Sequence, residues 1–155
     1  QLGASVSVKE RNKIAELVDA SVASGAQIKT GGRTPEGVGA FYPATVLTVK
    51  SDNPILKSEI FGPVVPIVIT SSNEEAIELA NATEFGLISY VYSADLKRAI
   101  KVAESLECGM VAINKGVISD PAAPFGGVKQ SGLGREGGFA GIEEFLETKY
   151  IGVEI

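Results

Sequence analysis

Short, continuous apolar runs alternate along this chain with helical segments that open at serine caps, and that alternation restricts the fold more than any other feature. Ser7 stands three residues before Glu10, and Ser72 three before Glu75, the spacing of a capping box. The first box opens a helix carrying Ile14, Leu17, Val18 and Val22 on one face and stopping near Gly25. The second opens a helix through Ala76, Ile77, Leu79 and Ala80. Residues 95–106 read as a third, with Leu96, Ala99, Ile100 and Ala103 at helical spacing and an end at Gly109. Strand signals fall between them, at 27–30, 41–49, 64–69, 87–92 and 110–113. Continuous apolar strands alternating with capped helices predict the α/β class, a mostly parallel sheet flanked by helices on both faces. A short helix over 139–146 and a last strand over 150–155 complete the pattern.

Composition narrows the function classes. A chain of 155 residues with 45% hydrophobic content supports one globular unit with a real core. The net charge of -5 and pI near 4.8 leave no basic surface for nucleic acid. The longest apolar stretch, 61–69, is broken by Pro63 and Pro66 and is half the length of a spanning helix, so no membrane span is expected. No charged start followed by an apolar run opens the chain, and the cytoplasm is the default expectation. One Cys and no His exclude a disulfide framework, a Cys/His metal site and any histidine relay. Adjacent acids at Glu74, Glu75 and at Glu143, Glu144 diverge on a helix and read as solvated faces, so no metal site is expected.

The long Gly- and Pro-rich stretch 114–138 directs attention to itself, because a loop of that length inside a compact domain is usually functional. Gly132, Gly134 and Gly137 stand in G-x-G-x-x-G spacing. That fingerprint needs a strand leading straight into the glycines and an acidic residue roughly 20 positions on, at the end of a second strand. Neither is present, so tight loop packing is the better local reading. Lys129 and Arg135 read as charges that anchor the loop or an interface. Cys108, at a helix end without a basic neighbour in sequence, reads as a buried inert thiol.

Taken whole, A-P-F-G-G-V-K-Q-S-G-L-G-R-E-G at 123–137 closely resembles the loop near the C-terminus of aldehyde dehydrogenases. K-S-E-I-F-G-P-V at 57–64 looks like the E-I-F-G-P segment of the same family, in the same order and at about its spacing. The resemblance extends through T-E-F-G-L at 83–87 and Y-I-G at 150–152, and V-I-S-D at 117–120 is most similar to succinate-semialdehyde dehydrogenases. It implies an NAD(P)-dependent oxidoreductase acting on a small aldehyde, with NAD or NADP as cofactor. It further implies the later part of a catalytic domain over 1–141, and over 142–155 a helix end and an oligomerisation strand through which a homo-oligomer would form.

The resemblance also assigns roles. Glu59 would accept hydrogen bonds from the nicotinamide ribose hydroxyls, and Phe61 would lie beside the nicotinamide. An ionised carboxylate with two acceptor oxygens suits a vicinal diol, and Gly62 and Pro63 can fix the turn that aims it. Without the resemblance Glu59 reads as a solvated charge before a strand and Phe61 as a core residue. Phe125 would line the aldehyde path, and Ser119 would hydrogen-bond the substrate's distal carboxylate. Ser119 is equally readable as a loop serine satisfying local backbone. The nucleophile, the oxyanion amide, the glutamate base and the dinucleotide fold would all precede Gln1, so no catalytic residue is assigned to this chain and the fragment alone is expected to be inactive. A non-catalytic assembly module, an independent nucleotide-binding domain and an enzyme for another small aldehyde remain the alternatives.

Overall fold

The computed structural model describes residues 2–155 and divides into two compact units, Gln1–Ser71 and Ser72–Ile155. The single globular unit expected from length is thus resolved as two.

In the first unit, α1 (Val8–Ala23) starts where the capping box places it, the Ser7 hydroxyl accepting from the Glu10 N–H at 3.2 Å. The Glu10 carboxylate pairs with Lys13. The helix buries Ile14, Val18 and Ser21, while Val22 stays exposed. Three strands follow, β1 (Gln27–Thr30), β2 (Thr45–Thr48) and β3 (Val64–Ile67). β1 pairs antiparallel with β2, and β2 pairs parallel with β3 in the register Thr45 to Val64. Leu47 and Val49, Tyr42, Val64 and Ile55 join Ile14 and Val18 in the core. Tyr42 brings a hydroxyl into it; burial, with Asp19 adding to it and the Thr45 hydroxyl opposing, pushes that phenol above its ordinary pKa.

Asn53 ties α1 to the 3-10 turn Pro54–Lys57. Its Oδ1 accepts from the Ser21 hydroxyl at 2.8 Å and the Ile55 N–H at 3.2 Å, and its Nδ2 donates to the Ser21 carbonyl at 3.1 Å. Both residues are buried, so each hydrogen bond replaces water that cannot reach the site.

The second unit carries α2 (Asn73–Asn81), β4 (Phe85–Gly86), β5 (Ile88–Val91), α3 (Leu96–Ser105), β6 (Met110–Ile113), β7 (Val128–Lys129) and a 3-10 helix, Ala140–Phe145. Ser72 caps α2 through the Glu75 N–H, and Asp95 caps α3 through the Arg98 N–H. β5 pairs parallel with β6, and β4 pairs antiparallel with β7 inside the stretch the sequence presented as loop. Ala99, Met110 and Ala112 are its only buried apolar side chains among the described residues.

Helices and parallel strand pairs are both present, as the α/β reading requires. The strands do not form one mostly parallel sheet covered on both faces: they lie in three small sheets, two pairs parallel and two antiparallel. Val65, Ile67 and Tyr90 on those strands, and Leu96 and Ile100 on α3, are exposed, so the apolar pattern exists without the layer that would cover it. Residues 150–155 are likewise no strand. They are irregular and exposed, and an extended segment becomes a strand only through a backbone partner, of which they have none among the described residues. No helix among the described residues is long and apolar enough to cross a membrane.

Replacing Asn53 by Ala removes three hydrogen bonds and strands the Ser21 hydroxyl in the core. The unfolding free energy of the chain in urea titration should fall by about 2–3 kcal/mol. Ser21→Ala should cost less, because the Asn53 amide keeps two of its partners. A loss below about 0.5 kcal/mol for Asn53→Ala would show that the clamp contributes little.

Candidate functional site

Residues 58–63 pass from the 3-10 turn into β3, and the packing of Ile60 decides what they display. Ile60 lies against the core, so its neighbours Glu59 and Phe61 project outward. Glu59 is exposed and has no hydrogen-bond or ion-pair partner among the described residues, which leaves both carboxylate oxygens available as acceptors. Phe61 is 84% exposed, and its backbone sits at φ 43, in the left-handed region that a residue with a Cβ enters at a cost of about 1–3 kcal/mol. The alternative reading of Phe61 as a core residue does not hold, and the reason is local: the ring is exposed at a left-handed turn while Ile60 packs against the core.

The strained turn is held from both sides. The Pro63 carbonyl accepts from the Thr45 N–H of β2 at 2.8 Å, and the Gly62 carbonyl accepts from Val64 N–H at 2.8 Å. A Cβ on Gly62 would run into the side chain of Ile14 on α1, so a larger residue there would displace Ile14 in the core. A solvent-facing ring and a free carboxylate are thus presented on a backbone fixed by β2 and α1. An ionised carboxylate with two open acceptor oxygens can serve a vicinal diol, and an exposed ring can stack on a flat heterocycle.

Ser119 and Phe125 belong to the second unit. The chain leaves β6 at Asn114, which adopts φ 52 and pairs its amide with the Ser93 backbone, Nδ2 to the carbonyl at 2.8 Å and Oδ1 from the N–H at 2.9 Å. Further on, Asp120 closes a turn by accepting from the Ala122 and Ala123 N–H groups. Ser119 lies between these two anchors, exposed, its hydroxyl without a hydrogen-bond partner among the described residues. It is not a serine occupied with local backbone.

Phe125 is half-buried and exchanges two backbone hydrogen bonds with Glu136, at 2.7 and 2.8 Å. Its ring borders a cleft of about 360 Å³ shared with Leu87, Leu133, Arg135, Glu144 and Phe145. Ser119 does not line that cleft. Arg135 reaches across the loop, Nη1 donating to the Gly127 and Gly134 carbonyls at 2.7 Å each. Lys129, at φ 55, donates to the Asn81 and Thr83 carbonyls at the end of α2 and pairs with Glu107 at 2.6 Å. Both cations anchor loops, as expected of them.

Gly132, Gly134 and Gly137 all take positive φ, but a two-residue strand precedes them and a six-residue 3-10 helix follows. They shape a tight loop, not a phosphate cradle. Cys108 is half-buried rather than fully buried, and its thiol donates to the Met110 carbonyl at 3.2 Å. Glu144 is exposed, as expected of a solvated face, and its carboxylate also accepts from the Arg135 N–H at 3.0 Å. Among the described residues there is no cluster of acids, cysteines or histidines able to hold a metal ion. Phe145 reads from sequence only as part of a short helix, Glu144 only as a solvated acid and Leu133 only as a loop residue; the cleft they share is formed by tertiary contacts that spacing does not report.

Comparison with known proteins gives a consistent picture. The profile of the aldehyde dehydrogenase family matches residues 1–151. A succinate-semialdehyde dehydrogenase of Paenarthrobacter nicotinovorans is 51% identical over 99% of this chain and 34% of its own length. A 3-sulfolactaldehyde dehydrogenase of Pseudomonas putida is 49% identical over 90% of this chain and 29% of its own. The chain thus spans about a third of the length of such relatives. Among solved structures, succinic semialdehyde dehydrogenase from Streptococcus pyogenes with NADP+ superposes with a TM-score of 0.90 at 37% identity, covering 97% of this chain and 34% of that one. A betaine aldehyde dehydrogenase variant from Staphylococcus aureus with NAD+ also gives 0.90, at 41% identity over 97% of this chain and 32% of that one.

Because the Phe61 backbone is strained and its ring packs on nothing, Phe61→Gly should leave the chain no less stable, with a gain of up to about 1 kcal/mol in urea titration. A loss of more than about 1 kcal/mol would mean that the ring contributes to packing.

Proposed function

Since the chain belongs to the aldehyde dehydrogenase family, we propose that it is the later part of an NAD(P)-dependent enzyme that oxidises succinate semialdehyde to succinate. The observation that carries this reading is the combination of an unpartnered Glu59 with an exposed, backbone-strained Phe61 on one anchored turn. Strain held in place by surrounding packing is most economically explained by a task for the ring. In this reading Glu59 accepts hydrogen bonds from the ribose diol next to the nicotinamide, and Phe61 lies against the nicotinamide. The nicotinamide cofactor, when bound, supplies the hydride acceptor.

Phe125 excludes water from the aldehyde's path, and the free hydroxyl of Ser119 donates to the substrate's distal carboxylate. Relatives named for succinate semialdehyde and for 3-sulfolactaldehyde share a substrate class, a small aldehyde with an anionic group at its far end. That shared chemistry supports an anionic semialdehyde ahead of other aldehydes. The same reading makes the C-terminal residues 142–155 an assembly segment that gains its strand partner from a second subunit. Neither Cys108, whose thiol is held to a carbonyl, nor any other residue here is assigned the role of nucleophile. The 155-residue chain by itself is therefore inactive.

The full-length gene product, assayed with both cofactors against a panel of aldehydes, should show its highest kcat/KM with succinate semialdehyde. Glutarate semialdehyde, longer by one methylene, should fall about 10- to 200-fold below it. A preference for the longer acid would move the assignment to glutarate semialdehyde, and a preference for cationic betaine aldehyde would defeat the anionic-substrate reading. Turnover by the isolated chain would contradict its assignment as a part without a nucleophile.

Glu59→Gln in the full-length enzyme keeps one acceptor oxygen and removes the charge. Its KM for the nicotinamide cofactor should rise about tenfold, with a smaller change for the aldehyde. An unchanged cofactor KM would take Glu59 out of the binding site.

A further inference from the structure

The arm that follows Phe125 is latched from its C-terminal side by a carboxylate of the same chain. Glu144, in the 3-10 helix Ala140–Phe145, accepts from the Arg135 N–H at 3.0 Å. Its carboxylate occupies the space that a Cβ on Gly134 would need, with Oε2 only 2.9 Å from that point. Gly134 stands at φ 84, so the close approach depends on a glycine that also supplies the turn. On the other side, the Arg135 guanidinium spans the Gly127 and Gly134 carbonyls, and Glu136 exchanges backbone hydrogen bonds with Phe125. Three consecutive residues, 134–136, therefore connect Glu144 to the backbone that carries the Phe125 ring. Phe125 and Phe145, the residue after Glu144, border the same cleft.

We infer that Glu144 is a positioning residue that sets the separation of Phe125 and Phe145, and through it the size of aldehyde the cleft accepts. The inference rests on the reading of Phe125 as part of the aldehyde path. Glu144 touches no reacting atom. It acts through one acceptor oxygen on a backbone N–H, so an amide in its place keeps the latch and a methyl group does not.

The test uses the full-length enzyme with Glu144→Ala, Glu144→Gln and Gly134→Ala, the last approaching the same contact from the opposite side. Glu144→Ala should raise the KM for succinate semialdehyde about tenfold and shift the preference toward bulkier aldehydes, with kcat and cofactor KM within about twofold. Glu144→Gln should stay within about twofold of the parent in all three, and Gly134→Ala should resemble Glu144→Ala. Hydrogen exchange at the Phe125 and Glu136 amides, read independently of turnover, should accelerate about tenfold in Glu144→Ala and not in Glu144→Gln. An unaltered aldehyde profile with unaltered exchange overturns the inference, as does Glu144→Gln behaving like Glu144→Ala. A parent enzyme that oxidises none of the aldehydes defeats the proposed function, while the exchange measurement still decides whether Glu144 holds Phe125. Should Glu144→Ala fail to fold, Gly134→Ala and Glu144→Gln decide by the same two readouts.

Discussion

Three asparagine side chains do the joining that the apolar core does not. A primary amide carries the same donor and acceptor as a peptide group, so it can pair with a strand or helix end as though it were one more residue of backbone. Asn53 does this with Ser21 at the end of α1, Asn114 with Ser93, and Asn81 with both Ser105 and Glu107 at the end of α3. Lys129 adds a cation to the Asn81 and Thr83 carbonyls at the C-terminal end of α2, where the helix dipole favours positive charge. Each clamp fixes the point at which an element hands over to the next loop. The turn that displays Glu59 follows Asn53, and the loop that carries Ser119 follows Asn114.

Such clamps matter because burial is sparse. The chain exposes 11373 Å² of surface, where a monomer of its mass exposes roughly 7,400 Å² and two separate domains of half that mass about 9,000 Å². The excess is apolar in large part: Ile69, Leu96, Leu133, Phe139, Phe145, Tyr150 and Ile155 all stand open to solvent. Sequences do not place aromatic and branched residues at helix and strand positions to keep them wet. The uncovered stripe of α3 and the open faces of β3 and β5 are surfaces shaped for cover, in keeping with relatives about three times as long.

The functional reading gains from the same contrast. Where the chain is tightly built, as at Gly62 against Ile14 and Pro63 on β2, it displays an unpaired carboxylate and a strained ring. Stability is lowered at that turn by the Phe61 backbone and recovered in the packing beneath it. The cleft beside Phe125 is built differently, from the backbone pairing of Phe125 with Glu136, the Arg135 guanidinium on two carbonyls and the Glu144 carboxylate on the Arg135 N–H.

What could be read from the residues alone was local. The serine caps, the helices and most strand positions follow from interactions within about four residues, and each appears where the spacing put it. The two long motifs pointed to the family for a similar reason, since a contiguous string of residues carries its own identity. Tertiary structure decided the rest. Lys129 meets carbonyls 46 and 48 positions away, Asn81 meets partners 24 and 26 away, and β4 finds β7 across 41 residues of intervening chain, distances over which periodicity says nothing. It also decided which apolar faces are covered, and that residues 150–155 form no strand here. A stripe of hydrophobic residues specifies that a face should be buried, but only a neighbouring surface, held in place by the rest of the fold or by another chain, can bury it.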